Sequence, residues 1–123
     1  MSRALLSIRD RLDRLGVLLS GLCALHCLLG LVLVSALGLG GGLLLAPEIH
    51  EVGLALAIVV GILTLGVGTL RHGALGPLAL GACGIVLMAG ALATGHGSNE
   101  ALLTIGGVAL LAVAHILNLR RAA

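Results

Sequence analysis

Four long apolar runs, residues 15–37, 52–70, 75–94 and 101–119, divide the chain. Each is close to the roughly 20 helical residues that cross about 30 Å of hydrocarbon at 1.5 Å per residue. The breaks between them are short. Residues 38–51 carry Gly40, Gly41, Gly42 and Pro47; residues 71–77 end on Pro77; residues 95–100 read Gly-His-Gly-Ser-Asn-Glu. Short connections make consecutive helices antiparallel neighbours. The pattern predicts an all-α, four-helix transmembrane bundle with up-down-up-down topology, forming a single domain over residues 1–123. Residues 1–14 are charged and weakly amphipathic through Leu5, Leu6, Ile8 and Leu12. They are expected to form an interfacial helix that runs into the first span. The apolar run behind them exceeds the roughly 7–15 residues of a signal-peptide core, so retention is the expectation.

Charge sets a direction on this pattern. The seven basic residues are all arginine: Arg3, Arg9, Arg11, Arg14, Arg71, Arg120 and Arg121. Four alternating spans place every one of them on the same side. Glu48, Glu51 and Glu100 fall on the opposite side. The positive-inside rule then predicts that both termini and the middle loop are cytoplasmic.

Composition excludes the main alternatives. Hydrophobic residues make up 59% of the chain and charged residues 10%, too little polar surface for a soluble domain of this size. A net charge of +2 in separate clusters lacks the broad basic surface that nucleic-acid binding needs. Three cysteines give no disulfide framework. No Phe, Tyr or Trp is present to mark the bilayer boundaries, so arginine and Gly/Pro turns must set helix depth. Among the twenty glycines, the rows Gly16, Ser20, Ala24 and Gly53, Ala57, Gly61 recur every four residues. Such rows let helix backbones approach closely inside a membrane.

Candidate chemistry centres on Cys23-Ala24-Leu25-His26-Cys27. Positions 23, 26 and 27 are i, i+3 and i+4 of a helix and share one face. Thiol and imidazole donors suit soft or borderline cations such as Cu(I), Zn(II) and Hg(II). Polar groups at membrane depth are costly and mark functional sites. Counting from Leu15, helical rise places Cys23 roughly 12 Å below the cytoplasmic boundary, with His26 and Cys27 nearer the midplane at ~17–18 Å. Cys83 and His115 lie at depths, about 12 and 7 Å, that permit them to join this face from the third and fourth spans. A cysteine in a membrane helix also serves as a small hydrophobe, which is how Cys83 alone reads. His115 with Asn118 one turn on also reads as a hydrogen-bonding partner. On the other side, His50, Glu48, Glu51 and His96 form a loose set of cation-binding groups, or ordinary solvated residues. No hydrolase constellation is present, and His50-Glu51 lacks the second histidine of a zinc-protease helix, so no enzyme is expected. A non-covalent haem between His26 and His115 is an alternative, as is a purely structural small membrane protein.

Three short pieces resemble one family. Asp13-Arg14-Leu15-Gly16 followed by Ser20-Gly21-Leu22-Cys23-Ala24-Leu25-His26-Cys27 is similar to the first span of MerC mercury-resistance proteins. The stretch Leu110-Leu111-Ala112-Val113-Ala114-His115-Ile116-Leu117-Asn118 resembles their last span, and His50-Glu51 the start of their second. The resemblance implies a multi-pass protein of the bacterial inner membrane that takes up Hg(II) and delivers it to a cytoplasmic thiol acceptor protein. In that family the transport site is a Cys-x-x-Cys pair in the first span. Cys23 matches its first position, His26 stands at the second, and Cys27 follows one residue later. The expected metal ligands are therefore Cys23, His26 and Cys27, with Cys83, His115, His50 and Glu51 as further candidates. The expected partners are membrane lipid, the metal ion and that acceptor, with no nucleic acid.

Overall fold

The computed structural model describes residues 3–37, 47–94 and 98–122. Within them every regular element is helical: α1 (Arg3–Leu37), α2 (Pro47–Gly61), a π-helical turn (Ile62–Gly66), α3 (Val67–His72), α4 (Gly76–Ala93) and α5 (Ser98–Ala122). Four helical stretches are long and apolar enough to cross a membrane: Arg3–Gly30, Glu48–His72, Gly76–Ala93 and Asn99–Arg121. The second of these is α2, the π turn and α3 run end to end. The expected four spans are present. The expected interfacial segment is the first three turns of one continuous α1.

Helix ends follow local chemistry where the residues are described. α3 stops at Gly73, whose φ of 71° is left-handed and open to glycine without penalty. Pro77 sits in the first turn of α4, where its missing N–H is not needed. Basic Arg71, His72, Arg120 and Arg121 close α3 and α5, and Glu48 and Glu100 open α2 and α5, each matching the local end of the helix dipole.

The burial pattern is that of a protein whose solvent is lipid. Leu18, Leu22, Leu25, Val59, Ile62, Leu63, Val86 and Leu102 point outward, while Asp13, Ser20, Thr64, Glu100, Thr104, His115 and Asn118 are buried. In water the hydrophobic effect would invert this arrangement. In hydrocarbon it is the stable one, because polar groups find partners only inside the bundle.

What packs the inside is small. The buried positions of α4 are Pro77, Gly81, Gly84, Met88 and Ala91, a three-four repeat dominated by glycine and alanine. α4 and α5 touch backbone to backbone: a Cβ on Gly84 would lie 2.5 Å from the carbonyl oxygen of Gly107, and one on Gly107 2.6 Å from that of Gly84. Dispersion at this range replaces the hydrophobic drive that lipid removes. Leu65, Met88, Val108, Leu111, Ala57 and Ala114 fill the core around this crossing.

The expected small-residue rows of α1 and α2 face each other. Gly16, Ser20, Gly53 and Ala57 line one cavity between these helices and α5. Contacts between α1 and its partners run in opposite sequence order. Asp13 meets Asn118 and His115 near the end of α5, whereas Cys27 meets His50 near the start of α2. Because Asn118 also bonds His72, the end of the bundle around Asp13 is the one that carries Arg71, Arg120 and Arg121.

Candidate metal centre

Two polar layers cross the bundle. Asp13, Thr64 and His115 make up the first; Cys27, His50 and Glu100 stand fourteen or fifteen residues from them along α1, α2 and α5. At 1.5 Å per residue the layers are about 21 Å apart.

The layer far from the arginines holds a cluster of potential ligands. One donor atom each from His26, Cys27 and His50 lies within 4.8 Å of the others. His50 Nε2 is 3.5 Å from Cys27 Sγ, and the rings of His26 and His50 are tilted by 59° with centroids 5.4 Å apart. Behind them, His50 Nδ1 lies 3.2 Å from Oε1 of Glu100, whose side chain is buried at the start of α5. At this separation the carboxylate attracts the ring electrostatically, without the geometry of an Nδ1–H hydrogen bond to it. On the other side of the ring Nε2 faces the thiol. This carboxylate–histidine arrangement is the one that orients metal-binding imidazoles. With two nitrogens and one sulfur the donor set suits a soft or borderline cation.

The structure redistributes the expected site residues. His26 and Cys27 were placed near the midplane by counting from Leu15. They lie beside the first turns of α2 and α5, where Cys27 meets His50 and His50 meets Glu100. The two sets expected on opposite sides, the first-span face and His50, are thereby one cluster. Cys23 is outside the three-residue group: it lies one turn closer to the arginine end, facing Gly53, where a Cβ would be 3.7 Å from its sulfur. Glu51 is exposed, and it is Glu100 that reaches His50. Cys83 is exposed on α4. His96 lies outside the described residues. His26 and His115 belong to different layers, so no one haem spans both.

The second layer is closed by hydrogen bonds. His115 Nδ1 donates to Asp13 Oδ1 at 2.7 Å and lies 3.3 Å from Thr64 Oγ1, which itself donates to the Val60 carbonyl. Asn118 spends both amide hydrogens, one on Asp13 Oδ2 at 2.8 Å and one on the Thr64 carbonyl at 3.1 Å. The Ala74 N–H donates to His72 Nδ1, so His72 Nε2–H donates to Asn118 Oδ1 at 2.8 Å. Gly68 is required here, since a Cβ would collide with the Asn118 amide. The π turn brings Thr64 to this network and keeps Leu65 in the core, and such turns occur often at functional sites.

Sequence reasoning missed Asp13, Thr64 and Glu100 as parts of these layers. A signal was present for Asp13. It continues the three-four row Gly16, Ser20, Cys23, Cys27 backward by one step, and so shares the buried face of α1.

Four membrane-long helices, lined inside by polar residues and bearing a Cys/His cluster, define a multi-pass membrane protein with a candidate heavy-metal site. The sequence model of the MerC mercury resistance protein matches residues 13–120, and the chain belongs to that family. No curated protein and no solved structure matches the chain.

Proposed function

We propose that this protein carries Hg(II) inward across the bacterial inner membrane. The observation that carries this reading is the convergence of His26, Cys27 and His50 within ligand distance at the end of the bundle opposite the arginines. The positive-inside rule assigns the arginine end, with both termini, to the cytoplasm. The cluster is then the outer mouth, where an incoming cation first meets protein.

Cys27 supplies the sulfur, and the ion's own charge displaces the thiol proton on binding. His50, held by Glu100, and His26 supply nitrogen. Cys23, one turn inward at roughly 6 Å along α1, is the next thiol on the path. Passage from one sulfur to the next lets a tightly bound soft cation move, ending on a cytoplasmic thiol acceptor protein. The donor set also accepts Zn(II) and Cu(I), and family membership favours mercury. In this reading the protein is a transporter rather than an enzyme.

Hg(II) accumulation in cells that express the protein tests the reading. Cys27→Ser and Cys23→Ser are each expected to abolish the accumulation. Undiminished uptake by the double variant would overturn the proposal.

A further inference from the structure

The cavity that Gly16, Ser20, Gly53 and Ala57 enclose has a volume of about 20 Å³, and its remaining lining includes Cys23 and His115. That volume exceeds the roughly 10–15 Å³ a single water needs, and a bare metal ion is no larger. Gly16, against the His115 ring, and Cys23 are seven residues apart on α1, or about 10 Å.

His115 is fully buried, and its Nε2 has no hydrogen-bond partner among the described residues. A buried nitrogen without a partner is costly and calls for an explanation. The network on its other side decides its chemical state. Nδ1 gives its hydrogen to Asp13 Oδ1, and Asp13 Oδ2 is held by Asn118, so in the neutral imidazole Nε2 is the nitrogen that carries the lone pair. Gly16 lets α1 pack directly against the ring, for a Cβ there would lie 2.5 Å from Nε2 and 2.6 and 2.7 Å from Cδ2 and Cε1.

The same construction appears at the outer cluster, where Glu100 sits behind His50 and Nε2 faces Cys27. Here Asp13 sits behind His115, and His115 and Cys23 both line the cavity. Among the described residues the bundle therefore holds two carboxylate–histidine pairs, one in contact with Cys27 and one sharing a cavity with Cys23.

We infer that His115 Nε2 is an inner metal ligand, which receives a soft or borderline cation from Cys23 through the cavity they share. Asp13 positions the ring, as carboxylates do behind metal-bound histidines. Ligation takes place through the Nε2 lone pair of the neutral imidazole. The inference rests on the proposed inward path and adds to it a station between Cys23 and the cytoplasmic end.

The test uses the full-length protein in lipid nanodiscs, with nitrogen-labelled histidine, titrated with Hg(II). The first equivalent is expected to move the ring-nitrogen resonances of His26 and His50. Further metal is expected to move His115 Nε2 while Nδ1 keeps its proton. His115→Gln is expected to retain the first equivalent, lose the second, and reduce Hg(II) transport by about tenfold or more, the scale of losing a metal-site interaction. If the outer cluster saturates and His115 Nε2 stays unmoved, as when the cavity holds only water, the inner station is overturned and the outer site stands. If His115→Gln binds both equivalents, the inference falls as well. Wild-type protein that binds no Hg(II) at all sinks both readings.

Discussion

His115 on α5 and Asp13 on α1, separated by 102 positions in the chain, meet at 2.7 Å with both side chains fully buried. This contact fixes how far α1 is inserted against α5. It also fixes which nitrogen of His115 carries the proton.

Replacing Asp13 by Asn removes the charged acceptor while keeping the shape. His115 Nδ1–H and the Asn118 amide then compete for one carbonyl oxygen, and a buried donor is left unsatisfied. The expected cost is ~1–3 kcal/mol of stability, read from the unfolding midpoint in mixed micelles. The same variant is expected to mix the His115 tautomers, visible in the ring-nitrogen resonances. An unchanged midpoint together with a single unchanged tautomer would contradict the assigned network.

The α4–α5 crossing makes a sharper claim about glycine. Gly107→Ala places a methyl 2.6 Å from a backbone oxygen that cannot rotate away, so the helices must separate. A loss of about 1–3 kcal/mol is expected, as for other overpacked cores. On α4, Gly90→Ala meets nothing within 4 Å and is expected to be neutral or stabilising by up to ~1 kcal/mol through helix propensity. Thermal unfolding of the two variants side by side reads the difference.

Glu100 and Glu51 separate the structure from the pattern. Glu100→Gln weakens the hold on His50 and is expected to lower metal affinity by about 10–100-fold, the usual effect of losing a carboxylate behind a ligand. Glu51→Gln, at an exposed position, is expected to leave affinity unchanged. Competition titrations of Hg(II) against a small dithiol report both. Equal effects at the two positions would contradict the placement of Glu100.

The three cysteines are expected to behave differently toward a metal. Cys27→Ser removes the sulfur of the outer cluster and should abolish tight binding there, whereas Cys83→Ser, on the exposed face of α4, should bind and transport as the wild type does. Metal stoichiometry on the purified variants decides the matter.

Much of the fold was legible without coordinates. Spans can be read because their length answers to bilayer thickness and their composition to lipid, both of which act residue by residue. The soft-donor character of Cys23, His26 and Cys27 is likewise carried by residue type and helical spacing. The family resemblance at Asp13–Gly16, Ser20–Cys27 and Leu110–Asn118 rests on local strings and is shown by the match over residues 13–120.

Depth and partnership were not legible in the same way. An apolar run tells where a helix can begin to enter lipid, but Asp13, which precedes the first run, is already buried in the bundle against His115 and Asn118. Packing likewise carries Cys27 to the level of His50 and Glu100, separates it from Cys23, and leaves Cys83 facing outward. The amino-acid sequence by itself therefore determined the membrane class, the four spans and the kind of ion their donors suit. Tertiary structure alone decided which donors meet, because the carboxylate that orients each histidine comes from a helix far away in the chain. No local pattern encodes the helix register that brings them together.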